Sequence, residues 1–449
     1  IRRQRQMCIR DSRIIITTIQ KLAKFIGQNA KHEVFGGHVV IIFDECHRSQ
    51  FGDMHTAITK AFKTYHLFGF TGTPIFAVNA GSSGTPGLRT TEQAFGDRLH
   101  TYTIVDAIRD ANVLPFRIDY INTVKASEGI ADKQVPAIDT EKALLAPERI
   151  AQIVAYVRDH FDQKTKRNAT YTLAGRRVSG FNSLFATASI EAAKRYYNAF
   201  TYRQDELPAD RRLKVGLIYS YAANEAEPDG LLGEEEFETH GLDQSSRDFL
   251  EDAIQDYNDL FGTSFDTSAD RFGNYYKDLS LRLKSRELDL VIVVNMFLTG
   301  FDATTLNTLW VDKNLRQHGL IQAYSRTNRI LNSVKTYGNI VSFRNLEDET
   351  NEALALFGNA DAKGVVLLKP YGEYYDEYAE QVTELLDGYP PGRLILGEEN
   401  QKRFIALFGA ILRLRNILTA FDDFTGHEIL TPRQLQDYQS CLLYTSDAA

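Results

Sequence analysis

Apolar residues in this chain gather into short unbroken runs, spaced widely enough to hold a strand-plus-helix unit between them. The first is His38-Val39-Val40-Ile41-Ile42-Phe43; Phe68-Gly69-Phe70, Leu213-Lys214-Val215-Gly216-Leu217-Ile218-Tyr219-Ser220 and Leu290-Val291-Ile292-Val293-Val294 follow. Uninterrupted Val, Ile and Phe predict central parallel strands buried on both faces, because crossover helices cover both sides of a parallel sheet. Arg177 to Thr187 holds a further strand, with a turn at Phe181-Asn182-Ser183. From Leu346 onward the strand signals fade. Phe404 to Leu414 is apolar on most sides, as a helix packed inside a bundle would be. The pattern predicts an α/β protein with a helical C-terminal region.

Polar residues at the ends of these runs carry the candidate chemistry. Asp44-Glu45-Cys46-His47 closes the first run and puts two carboxylates at the C-terminal tip of a strand, where open α/β sheets bind ligands. Paired acids there suit a magnesium nucleotide: Asp44 holds Mg²⁺ and Glu45 polarises the attacking water. A solvated Asp-Glu turn is the plainer reading of the four residues alone. The second strand runs into Thr71-Gly72-Thr73-Pro74, a tight turn whose hydroxyls can sense a phosphate. Leu290 to Asp302 is a strand ending in a Thr299-Gly300-Phe301-Asp302 loop. Gln322, Arg326 and Arg329 stand at i, i+4 and i+7, which predicts one helix face with two guanidiniums for an anion. Alone, that helix would read equally well as a basic surface.

Taken together these strings resemble the superfamily-two helicases and translocases, and more narrowly the motor (restriction, R) subunit of type I restriction-modification enzymes. Thr17-Thr18-Ile19-Gln20-Lys21-Leu22 is similar to the family's early DNA-contact motif, Ile42 to Ser49 to its Walker B box, and Gly69 to Ile75 to its third motif. Leu306 to Leu315, followed by Gln322 to Ile330, matches its fifth and sixth motif region most closely. The likeness runs from Arg13 to Ser440. It implies ATP-driven translocation on double-stranded DNA, with ATP between two RecA-like domains and cleavage away from the recognised site. In that scheme Asp44, Glu45, Arg326 and Arg329 are catalytic, Asp44 holds Mg²⁺, and Gln322, Gly300 and Asp302 bind nucleotide. His47, Thr71 and Thr73 couple the site to the rest of the motor, and Thr17, Thr18, Gln20, Lys21 and Thr299 contact the DNA backbone. Such contacts carry no base information, so the implied partners are a specificity subunit and a methyltransferase subunit. A type III restriction or remodelling motor, or a remnant that only binds DNA and partners, are the alternatives.

The chain departs from the family in one respect: no Gly-Lys-Ser/Thr phosphate loop occurs in its 449 residues. In the family that loop and the nuclease domain precede the Thr17 region, so the expectation is a piece without them, inactive by itself. Asp139-Thr140-Glu141-Lys142 reads as a surface helix start rather than a nuclease string. Residues 1–12 and 441–449 resemble translated sequencing-adapter sequence and are set aside. The remaining division is 13–109 for the rear of a truncated first RecA-like domain, 110–345 for the second, and 346–440 for a helical domain. Gly81 to Gly87 reads as a flexible insertion, and Glu234-Glu235-Glu236 as solvated surface.

Composition narrows the picture only slightly. At 43% hydrophobic the chain can bury a large core, and a net charge of −8 argues against a generally basic nucleic-acid binder, so DNA contact must be local. Its three cysteines, Cys8, Cys46 and Cys441, support neither a disulfide framework nor a zinc knuckle. That fits a cytoplasmic protein, as does the lack of any apolar run of membrane-spanning length.

Overall fold

The computed structural model describes residues 14–49, 53–77, 79, 90–121, 123, 143–205, 207–220, 242–358, 362–393 and 395–446. The suspected foreign start, the Gly81 to Gly87 insertion, Asp139 to Lys142 and Glu234 to Glu236 lie outside these residues. The chain divides into two compact units, 1–104 and 105–449.

In the first unit Thr17 and Thr18 do not belong to a strand. The chain enters extended, and Thr18 caps helix α1 (Ile19–Gln28) by accepting a hydrogen bond from the Lys21 backbone N–H at 3.3 Å. Ile19, Leu22, Phe25 and Ile26 then fall on one helix face and pack against a core of Phe35, Phe43, Cys46, Ile58 and Phe62. Strands β1 (His38–Phe43) and β2 (Thr64–Gly69) pair in parallel, from His38 opposite Thr64 to Phe43 opposite Gly69, with helix α2 (Asp53–Ala61) between them in sequence. Gly69 is required where β2 ends. A Cβ there would stand 2.8 Å from both the Cys46 Sγ and the Phe95 ring. The expectation that β1 is buried on both faces is not met: Val39, Ile41 and Phe43 face the core, while Val40 and Ile42 are 55% and 64% exposed. Among the described residues of this unit, nothing covers that second face.

In the second unit six strands form one parallel sheet in the order β3-β10-β9-β6-β8-β7. They are β3 (Phe116–Tyr120), β6 (Asn182–Thr187), β7 (Val215–Ile218), β8 (Leu290–Val293), β9 (Leu306–Asp312) and β10 (Gly338–Ser342), with a small antiparallel hairpin of β4 (Thr170–Leu173) and β5 (Arg176–Ser179) at the side. β6, β8, β9 and β10 are buried at every residue, as the run at 290–294 predicts for β8; the apolar pattern predicts no strand at β9 or β10. Phe181-Asn182-Ser183 is not a turn. Gly180, at φ +62°, makes the reversal, and Asn182 already begins the central strand. Long helices accompany the sheet in the chain: α3 (Pro147–Lys164), α4 (Ile190–Asp205), α5 (Gln244–Phe261) and α6 (Ala269–Lys284).

Helix α7 (Gln317–Tyr324) is shorter than the Gln322/Arg326/Arg329 spacing predicts. Arg326 and Arg329 lie beyond its end, so the three side chains do not share a helix face. After β10 the described chain forms no further strand. Helices α8 (Glu347–Phe357), α9 (Tyr371–Gly388), α10 (Glu398–Leu418) and α11 (Pro432–Ser446) follow, and α11 continues through the segment set aside as foreign from Cys441. Tyr378, Val382 and Leu385 of α9 pack with Phe404, Phe408, Ile411 and Leu414 of α10, confirming the buried character of the Phe404 to Leu414 stretch. Arg117 of β3 ties this bundle to the sheet, donating to the Ala420 carbonyl and lying 4.3 Å from the Phe421 ring centre. Among the described residues no helix is long and apolar enough to cross a membrane.

Candidate functional site

In the first unit the backbone extends the β1–β2 pairing past the strands. Phe70 N–H donates to the Phe43 carbonyl at 2.8 Å, and Cys46 N–H donates to the Phe70 carbonyl at 3.0 Å. This zips the acid turn to the Thr71-Gly72-Thr73 turn. Between the two bonds Glu45 adopts φ +47°, a conformation costly for a residue with a Cβ. The Glu45 N–H is held by the Asp44 Oδ1 at 3.0 Å.

Side chains complete the link. The buried His47 ring shares its Nδ1 with the Thr71 hydroxyl at 2.7 Å and lies 3.4 Å from the Glu45 carboxylate. Thr71 Oγ1 also accepts from the Thr73 N–H at 3.0 Å. Glu45, His47, Thr71 and Thr73 are therefore one connected set. Asp44 and Glu45 are exposed at the strand tip, whereas Cys46 between them and His47 is fully buried. Burial, then the charge of Glu45, pushes the Cys46 thiol up to about 12, which leaves it an inert core group. Among the described residues no three His, Cys, Asp or Glu side chains gather as metal ligands. A hard cation at Asp44 would therefore complete its shell with water and phosphate oxygens, the mode that suits Mg²⁺. Thr17, Thr18, Gln20 and Lys21 lie exposed at the start of α1.

The second unit brings together the loop after β8 and the segment after α7. Gly300 takes φ +68° and Phe297 φ +67°, so the loop contains two left-handed residues. Arg326 is buried: its Nε donates to the Gln322 carbonyl at 3.0 Å, and a terminal nitrogen donates to the Phe301 carbonyl at 2.6 Å. Arg329 is half-exposed and faces the exposed Asp302 carboxylate at 3.4 Å. The two arginines thus differ in kind. Arg326 is turned inward onto the loop, whereas the Arg329 guanidinium stays half-exposed beside Asp302. Thr299 is 2% exposed, so as placed its side chain does not present itself to a DNA backbone. Gln322 is buried as well.

A cluster that no reading of the sequence singled out sits at the C-terminal tip of β9. Arg149 grips Asp312 with two bonds of 2.7 and 2.9 Å, Arg344 adds one of 2.6 Å, and Tyr196 donates its hydroxyl at 2.7 Å. Burial raises the Asp312 pKa, but the bonds from Arg149 and the charges of Arg344 and Arg149 outweigh it and hold the carboxyl below its usual range. Burial and that carboxylate push the Tyr196 hydroxyl up. The partners come from four places in the chain, so no local spacing could have revealed them.

Three family models match successive parts of the chain. A SWI2/SNF2 ATPase model matches residues 3–148, domain 3 of type I restriction enzyme subunit R matches 179–345, and the subunit R C terminal of type I restriction and modification enzymes matches 366–448. The chain is 40% identical over 455 residues to the type I restriction enzyme SauCOLORF180P endonuclease subunit of Staphylococcus aureus (strain COL), covering 99% of this chain and 46% of that subunit. It is 40% identical over 439 residues to the SsaAORF53P endonuclease subunit of Staphylococcus saprophyticus, covering 95% and 44%. The chain therefore spans less than half the length of these relatives. Among solved structures it is similar to the ATP-dependent Type ISP restriction-modification enzyme LlaBIII bound to DNA, at 15% identity and a TM-score of 0.38 over 90% of this chain and 24% of that one.

Proposed function

We propose that this chain, which matches a SWI2/SNF2 ATPase model at 3–148 and type I restriction subunit R models at 179–345 and 366–448, serves ATP-driven movement along double-stranded DNA within a type I restriction complex. The observation that carries the reading is the bonded set Glu45–His47–Thr71–Thr73 at the tip of a parallel strand. Glu45 takes a proton from the attacking water. Asp44 would hold Mg²⁺, which when bound would neutralise phosphate charge. A change in what Glu45 contacts passes through His47 to the Thr71-Gly72-Thr73 turn in one side-chain step. Charge developing on the transferring phosphoryl group falls to Arg329, whose guanidinium is free to exchange the 3.4 Å contact with Asp302 for a phosphate, while Arg326 keeps the loop in place. Thr17, Thr18, Gln20 and Lys21 offer hydroxyl, amide and ammonium donors to the DNA backbone at the start of α1. Specificity and methyltransferase subunits supply the choice of site.

One observation favours a second reading for the chain by itself. With no Gly-Lys-Ser/Thr loop in 449 residues, the β- and γ-phosphates lack their usual cradle, and the chain alone would bind DNA and partners without turnover. Phosphate release separates the two. The chain alone with saturating duplex should match a no-protein control, whereas the S. aureus subunit with this sequence in place of its matching stretch should show DNA-stimulated turnover. Glu45→Gln in that swap should cut the rate by about 10²-fold or more. A well-folded swap whose turnover ignores Glu45→Gln would refute the catalytic assignment.

A further inference from the structure

We infer that Lys335 is a positioning residue, which clamps the loop between β8 and β9 to the segment after α7 so that Asp302 and Arg329 are presented as one fixed pair. This rests on the reading of Arg329 given above. Lys335 is 1% exposed, and its ammonium donates to the carbonyls of Thr304 at 2.8 Å and Leu306 at 2.7 Å. Its own backbone is fixed from behind, because Asn332 Oδ1 accepts from both the Val334 and Lys335 N–H groups at 3.1 Å. Lys335 thereby finishes a series. Arg326 holds the carbonyl of residue 301, Arg329 the carboxylate of 302, and Lys335 the carbonyls of 304 and 306. Two buried donors and one half-exposed ion pair from one ten-residue stretch thus meet one short segment along its length.

A buried ammonium is an expensive way to fill space, since an apolar side chain of the same length would avoid the desolvation cost. What lysine adds is donors for one loop carbonyl, that of Thr304, and for the first carbonyl of β9, that of Leu306. The loop needs such anchors because Phe297 and Gly300, both at positive φ, give it no regular hydrogen-bond ladder of its own. The same ammonium lies within the electrostatic reach of the pair it is inferred to position. Burial, then the charge of Arg329, drives its pKa well down, and the charge of Asp302 pulls it back up. The alternative is a plain core residue whose loss unfolds the sheet.

Amide hydrogen exchange on the full chain distinguishes these, using Lys335→Met and, as a milder change that keeps one donor arm, Lys335→Gln. Exchange in residues 299–306 should rise at least about tenfold in Lys335→Met and less in Lys335→Gln, with β6 and β8 as protected as before. Unchanged exchange in the loop, or loss of sheet protection in both variants, overturns the inference. In the swapped subunit Lys335→Met should lower kcat by about tenfold while KM for ATP stays within about twofold, because placement of a transition-state group is lost rather than nucleotide affinity. Wild-type turnover in Lys335→Met beside a collapse in Arg329→Ala also overturns it. If Arg329→Ala is itself silent, the ATPase reading of that arginine fails while the loop clamp, judged by exchange, stands.

Discussion

Val40 and Ile42 in β1 are more than half exposed, while β8, built from the same kinds of residue, is buried at every position. Both sheets are parallel, and β1 reads in sequence as the better central strand. The difference is the layer above. In the six-stranded sheet both faces of β6, β8, β9 and β10 are covered, so every side chain on those strands is buried. In the β1–β2 pair one face rests on Phe35, Ile58, Phe62 and α1, and the other meets no described residue of its unit. An apolar run therefore states that a strand can be buried on both faces, and the neighbouring layers decide whether it is. The same contrast governs charge. Asp44 and Glu45 leave their strand into water, whereas Asp312, at the equivalent tip of β9, is buried and takes two arginines and a tyrosine with it.

The largest way to test this contrast is through the buried carboxylate. Asp312→Ala leaves the Arg149 and Arg344 guanidiniums buried without their partner and should cost about 3–5 kcal/mol in urea unfolding of the second unit. Asp44→Asn should change the first unit by no more than about 0.5 kcal/mol. Equal effects would mean that the two strand tips are not different environments. A smaller contrast comes from trimming the strands themselves. Leu309→Ala, at a fully buried position in β9, should lose about 2–5 kcal/mol, while Ile42→Ala should lose under about 1 kcal/mol. If Ile42→Ala proves as costly as Leu309→Ala, the second face of β1 is covered after all.

The last contrast is in pH dependence, which in the second unit comes from two lysines. Burial, then the charge of Arg117, lowers Lys166 to about 7, and burial lowers Lys313 to about 8. In the unfolded chain both return to the ordinary lysine value. Between these values the unfolded state binds more protons than the folded one, so stability should rise as pH goes from about 7 towards about 9. Urea midpoints at the two pH values should show the rise, and it should shrink in Lys166→Met. A fall over that interval would reverse the sign argued for both lysines. Above that window the buried tyrosines, whose pKa values are raised, begin to oppose the trend.

Residue order alone determined much about this protein. It predicted the α/β class, the strands at 38–43, 215–218 and 290–293, the helical region after Leu346, and the set of motifs that resembles type I restriction subunits. Those are local properties, set by runs, turns and spacings within a few residues. The 2.7 Å bond between His47 and Thr71 joins residues 24 positions apart and was not legible in the sequence. Tertiary structure decided what depends on distant chain segments meeting. It ended α7 at Tyr324, so that Arg326 turns inward to a loop carbonyl and Arg329 outward to Asp302, where helical spacing had put both on one face. It buried Asp312 among Arg149, Tyr196 and Arg344, and Lys335 beneath the loop it holds. Whether an ionisable side chain near a strand end meets water, a substrate or a buried counter-charge depends on which layers pack around it. That is fixed by residues up to 163 positions away, and no local pattern encodes it.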